Sequence, residues 1–414
     1  MNFQPPSKSL TSRDYQFIAL AVILFLIISA ALVYANRSLP KGGGDFLAHW
    51  AGARGYLFEQ VDPYSGQIPA RVQELVYDGA VKPGDDPYIL DTPFHLLLLY
   101  FPFSLLTDPQ LARAIYTLIL ELALFALAIL SLRLTDWEAP RYFVFLFIIF
   151  CFFNFYTFQA ILEASPVLLL GLIYAGILLA LRAEQDELVG ALLAVSMYYW
   201  EVGLPFLALV AWRSYKEGRT RVLAGFFMVS FLLLAISFLL YVNWIIPWLR
   251  AGMNNLRADF GYSIRAAFLD LFPSYGGALG WVFIGILVVA LGYEMSAAHN
   301  ADFRRFYWAA CLSIAAAPLL GFRTEMEHLA ALVIPLALVF AVIHDRWHRI
   351  RDGLVVLVLL LVLAFPWVGY FFPFISQEII FLFLPLFTVI ALYWLRWWAL
   401  RPPRVWADLV ARQS

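Results

Sequence analysis

This sequence is poor in charge. Of its 414 residues only 14% are Asp, Glu, Lys or Arg, whereas 63% are hydrophobic. A water-soluble domain carries about 25% charged residues, so a soluble globular chain is excluded. The 28 bases and 29 acids leave a formal net charge of −1, and no basic excess points to a nucleic-acid partner. Cysteine is nearly absent. Cys151 and Cys311 both lie in apolar stretches, which argues against a disulfide framework or a zinc-ligand spacing. No internal repeat and no low-complexity linker divides the chain, so residues 1–414 read as one integral membrane domain.

What the chain has instead is a succession of apolar runs, each near the roughly 20 residues that span a bilayer as a helix. Twelve such runs are expected, at about 16–35, 109–132, 142–158, 165–182, 188–200, 202–212, 222–243, 278–294, 305–320, 328–343, 353–372 and 378–398. The fold class is therefore all-α and polytopic. The first run is longer than the core of a signal peptide and no small-residue cleavage site follows it, so it reads as a retained helix.

Basic residues accumulate on cytoplasmic loops. The segments "RSYKEGRTR" (213–221) and "HDRWHRIRD" (344–352) share a side with Lys8, Arg13 and the tail bases Arg396, Arg401, Arg404 and Arg412 on one condition. The apolar stretch from Leu188 to Trp212 must fold back on itself. "MYYWEVGLPF" supplies the means, with two half-length helices expected to meet at Glu201, because Pro205 removes a helix hydrogen bond. Broken helices at membrane depth line cavities. Both termini are then expected to be cytoplasmic. The first long loop, 37–107, is expected outside, with eight acids and five bases up to Asp91. Its end, "TPFHLLLLYFPFSLL" (92–106), is too short to span and reads as interfacial or re-entrant. A second long loop, 244–277, mixes Trp244, Trp248, Arg250, Arg257 and Arg265 in a way suited to the headgroup layer.

Candidate chemistry starts at "KGGGDFLAHWAGARGYL" (41–57). Asp45 can cap the following helix or act as a base. His49, one turn on, shares its face, but two ligands without a third make a weak metal site. Glu121, Glu163 and Glu201 are costly acids in or beside the spans and mark cavities or buried pairs, Glu121 being the most structural of the three. "GFRTEMEHLAALVIPL" (321–336) offers Arg323 and His328 as donors with Glu325 and Glu327 as their partners. It can be a charged turn or an anion site. The sequence displays no carboxylate cluster, and neither a metal nor any other cofactor is expected.

The acid after the first helix, the continuation "ARGYLFEQVDPYS", the segment "YILDTPFHLLLLYFPFSLLT" and the later "FRTEMEHLAALVIPL" together resemble glycosyltransferase family 87. These are GT-C class enzymes that use polyprenol-phosphate sugars and include the phosphatidylinositol-mannoside mannosyltransferases. The resemblance is strongest over residues 37–135. It implies an inverting transfer of a hexose such as mannose, from a polyprenyl monophosphate to a lipid or envelope-glycan acceptor. The setting would be the outer face of a bacterial plasma membrane. By the same resemblance Asp45 is the general base and His328 assists, while Tyr64, Tyr88 and His49 line the acceptor side. Two departures stand out. Glu163 and Ala164 replace a Gly-Gln pair, and Trp200 and Glu201 replace a Lys-Pro-like pair at the broken helix. A carboxylate at Glu201 would repel a phosphate there, so either phosphate binding has moved to Arg323, Arg257 or Arg265, or the donor or the activity differs. Three other readings share the scaffold: a glycan polymerase or ligase with a diphosphate donor, a flippase of lipid-linked sugar, and a non-catalytic scaffold.

Overall fold

Polar caps and prolines decide where the long apolar runs start and bend. A computed structural model describes residues 12–39, 42–77, 85–257, 261–347, 350–372 and 375–401. Lys8, Arg404 and Arg412 lie outside the described residues. Helix α1 (Ser12–Arg37) leads into a loop region that carries α2 (Gly44–Arg54), α3 (Gln67–Tyr77) and the short α4 (Phe94–Leu97) and α5 (Phe101–Ser104). The segment 92–106 is thus two single turns rather than a span. Helix α6 (Pro109–Leu134) begins where Asp108 accepts the Gln110 amide at 3.0 Å, with Pro109 at the first helical position. The next run bends by 53° between α7 (Arg141–Phe153) and α8 (Phe155–Leu162). Asn154 causes the bend, leaving the helix and capping the next one through the Tyr156 amide at 3.1 Å.

Helices α9 (Val167–Arg182), α10 (Asp186–Ser196), α11 (Trp200–Lys216) and α12 (Thr220–Leu240) follow, then α13 (Ile245–Arg257) and α14 (Ile264–Leu271). The chain closes with α15 (Gly276–Ala298), α16 (Phe303–Ala316), α17 (Val333–Arg346), α18 (Arg351–Phe371) and α19 (Gln377–Ala399). Among the described residues no strand forms beyond one isolated bridge, Tyr262 to Thr324. The protein is an all-α, polytopic membrane protein. Among the described residues eight helical stretches, or nine with the bent pair, are long and apolar enough to cross a bilayer. This corrects the twelve expected from the runs, because several runs fold into shorter pieces. Helix α9 has 16 residues and α16 only 14 before a 3-10 turn. Helix α17, with its 3-10 lead-in from Glu327, is enclosed on all sides by α6, α16, α18 and α19, whereas α1, α12 and α15 keep broad apolar faces outward.

By length alone, Asp186–Lys216 is a single stretch of 31 residues. A straight helix of that length would reach about 46 Å. Arg219, three residues past its end, nevertheless pairs with Asp186 at its start, and Arg221 lies 3.6 Å from Glu187. Both ends therefore sit together, and the stretch folds back through the 3-10 turn at Met197–Tyr199. The reversal comes just before α11 rather than at Glu201 itself. Pro205 lies inside α11. The fold-back lets α10 and α12 run side by side with their backbones almost touching. A Cβ on Gly190 would lie 2.1 Å from the Val222 carbonyl oxygen, and one on Gly225 would lie 2.6 Å from that of Glu187. Gly190→Ala is accordingly expected to cost about 1–3 kcal/mol through overpacking. Gly285→Ala, whose Cβ meets open space, should leave stability level or raise it. Thermal unfolding of the two variants in detergent checks this, and equal melting would refute the close approach.

The basic segments gather at one end of the bundle. Arg182 pairs with Asp136 at 2.7 Å, Arg304 reaches the same acid, Trp137 donates to His344 at 3.1 Å and Arg346 reaches the Arg401 carbonyl. Residues 42–77 and 85–108 cover the opposite end, where Trp248 of α13 donates to the Asp91 carbonyl and Asn255 to its carboxylate.

Candidate functional site

Helix α2 begins under tight steric constraint. Gly43 has φ +79°, a left-handed conformation suited to glycine. A Cβ on Gly44 would come within 1.7 Å of the Tyr88 ring. Asp45 is the second residue of this helix and not its cap, which corrects the capping expectation. The cap comes from across the chain. Glu163 Oε2 accepts the Gly43 amide at 3.2 Å and the Gly44 amide at 3.1 Å, so an acid sits at the positive end of the helix. Arg113 stands beside Glu163 and donates to the Leu162 carbonyl at 2.9 Å. Burial raises the Glu163 carboxyl above its ordinary range, and the two glycine amides and Arg113 oppose that shift.

Relieved of capping, the Asp45 side chain points elsewhere, and its Oδ2 is buried without a hydrogen-bond partner. It meets the loop before α17. The Tyr262–Thr324 bridge holds that loop through two backbone bonds of 2.8 and 3.0 Å. The 3-10 turn Glu327–Leu332 then carries it into α17. Asp45, Glu325, Glu327 and His328 each offer a ligand atom, and these atoms all lie within 4.8 Å of one another. Glu327 and His328 are buried. The His328 ring packs on Tyr199, at the fold-back between α10 and α11, with centroids 5.2 Å apart. The carboxylate cluster missing from the linear sequence is thus assembled by the fold.

The electrostatics follow from crowding acids away from water. Burial holds Asp45 well above the usual carboxylate range, and Glu327, Asp86 and Glu163 push it further, against the Ser165 hydroxyl. Glu325 is raised by burial and then by Glu327. Asp86 is pushed up to about 7 by burial, opposed by the Tyr88 amide. Crowding and burial therefore make these carboxyls bind a proton or a cation more readily than exposed ones.

The other candidates have structural partners. His49 Nε2 lies 3.0 Å from the Thr92 hydroxyl and Nδ1 2.7 Å from the Asp45 main-chain carbonyl, and the ring stacks on Tyr100. Burial lowers its pKa to about 4, so it is a neutral packing group turned from the Asp45 carboxylate. Tyr64 donates to the Thr92 carbonyl at 3.0 Å, and Tyr88 packs on Gly44 with its hydroxyl against Tyr77. Arg265 lies over the Trp281 ring, 5.7 Å from its centroid, and Arg257 is exposed in the last turn of α13. Arg323 is exposed two residues before Glu325, and Glu201 opens α11 outside the four-residue cluster. Glu325 and Glu327 entered the sequence reading only as partners for Arg323 and His328, and the capping role of Glu163 had no local signal.

No family model, curated protein or solved structure matches this chain.

Proposed function

We propose that this protein is an inverting membrane glycosyltransferase. In this reading it moves a hexose, mannose in the first instance, from polyprenyl monophosphate to a hydroxyl of a lipid or envelope glycan. One observation carries the reading. Asp45 and His328, assigned from stretches far apart in the chain, belong to one partly buried cluster. Asp45 takes the proton of the acceptor hydroxyl, whose oxygen bonds the anomeric carbon. The bond from that carbon to the phosphate oxygen breaks, and the phosphate leaves with the electron pair. A base whose proton affinity is raised by burial suits this step. His328, fixed against Tyr199, is placed to donate to the departing oxygen.

Sidedness follows from charge. The end gathering 213–221 and 344–352 is the cytoplasmic one by the basic-loop rule. On this reading the Asp45 cluster faces the outside of the plasma membrane and both termini lie inside. The departure at Glu163 is compatible with activity, because this acid caps α2. Phosphate binding falls to Arg323, the closest in sequence of the three candidate arginines to the cluster.

The test supplies purified protein in lipid nanodiscs with radiolabelled polyprenyl-phosphate mannose and glucose and a membrane lipid extract. Transfer of label to a new lipid or glycan is the expected result. Absence of transfer from either donor, with translocation of the labelled lipid in proteoliposomes, would replace the enzyme by a flippase.

A further inference from the structure

We propose that Asp45, Glu325, Glu327 and His328 form a binding site for a divalent cation of the manganese or zinc kind. Cations of this class bind oxygen and nitrogen ligands at about 2.0–2.2 Å, which sets ligand atoms roughly 3–4.4 Å apart around one ion. The four ligand atoms here lie within 4.8 Å of one another, so side-chain adjustments of a few tenths of an ångström close the shell. Three carboxylates and an imidazole are a mixed donor set. Carboxylates suit manganese and magnesium and imidazole suits zinc, and an all-oxygen magnesium site would not include the histidine.

A second, independent observation points to a ligand at the cluster. Glu327 is only 5% exposed, points into it, and its Oε1 has no hydrogen-bond partner. Asp45 Oδ2, on the other element, is orphaned in the same way. A buried carboxylate oxygen without a partner is unfavourable. Two such oxygens on facing elements are best satisfied by one positive charge between them. The cluster has a second way to reduce its charge. Glu325 and Glu327 lie within hydrogen-bond reach of each other and can share a proton. The Glu325 amide lies 3.3 Å from His328 Nδ1, a contact that either yields to the cation or leaves Nε2 to bind it. Cation and proton compete for the same oxygens, and the experiment separates them.

The site needs no assumption about catalysis. Full-length protein is washed with chelator, reconstituted in nanodiscs and titrated with Mn²⁺ alone. The six-line spectrum of the free ion is followed by electron paramagnetic resonance. About one equivalent should bind per chain, with nitrogen coupling from an imidazole, and Zn²⁺ should displace it. Glu327→Gln and Asp45→Asn should each weaken binding by at least about tenfold, and His328→Gln should abolish the nitrogen coupling. Glu74→Gln, exposed on α3, should bind as wild type. Monodispersity on size exclusion qualifies each variant, and Asp45→Asn carries the test if Glu327→Gln does not fold. Failure of monodisperse wild type to bind either metal would overturn the site in favour of shared protons. So would wild-type affinity in the qualified ligand variants.

Discussion

Asp45→Asn is expected to lower the rate of sugar transfer by about two orders of magnitude or more, the loss typical of a missing general base. At 25 °C a hundredfold loss is about 2.7 kcal/mol of transition-state stabilisation. The substitution preserves volume and one hydrogen-bond acceptor while removing the proton acceptor, so kcat should fall with KM for the donor nearly unchanged. The capping geometry sharpens the result. Had Asp45 capped α2, asparagine would have served nearly as well, and little would change. Because Glu163 caps α2, a large loss in Asp45→Asn reports on chemistry and not on helix stability. The same residue is a ligand of the proposed cation site, so the assay is run at several Mn²⁺ concentrations. Recovery at saturating metal would make Asp45 a ligand alone, whereas a loss that persists identifies the base. Wild-type rates in the variant at every metal concentration would remove both roles.

The helices were legible because their apolar runs are long. Residues 109–132, 222–243, 353–372 and 378–398 each became one continuous helix close to the expected limits. The fold-back was legible from the sidedness of the basic loops, but its position was not, because the chain reverses at Met197–Tyr199 while Glu201, Gly203 and Pro205 continue within α11. Span number was less so, because hydropathy does not see the bend at Asn154 or how short α9 and α16 are. At the site, Asp45 and His328 were readable as chemically capable residues. Their meeting was not, since it depends on packing between α2 and the loop before α17. The pairing of Arg323 with Glu325 and Glu327 suggested by sequence is the local solution. The fold brings the two acids close to Asp45. Capping signals are read within a few residues of the helix start. A cap arriving from residue 163 leaves no such trace, which is why Glu163 looked like a disruptive departure.

Glu163 is therefore where a substitution remote from the reacting atoms should act most strongly. Glu163→Ala frees the Gly43 and Gly44 amides, at about 1 kcal/mol for a lost cap. It also removes a carboxylate that stands beside the guanidinium of Arg113. With the cap lost and a neighbouring charge removed, a fall in the thermal midpoint is expected. Activity should fall as well. Asp45 is two residues into the helix that Glu163 anchors, and a misplacement of about 1 Å at a reacting group costs on the order of a hundredfold in rate. Glu163→Gln separates these effects. Its carbonyl oxygen still accepts from the glycine amides, so the placement of Asp45 and most of kcat should return, while the charge contribution to stability does not. A positioning residue thus predicts recovery of rate without full recovery of melting temperature. Parallel recovery of both would assign Glu163 to stability alone, and wild-type rate and melting in Glu163→Ala would show that α2 starts correctly without it.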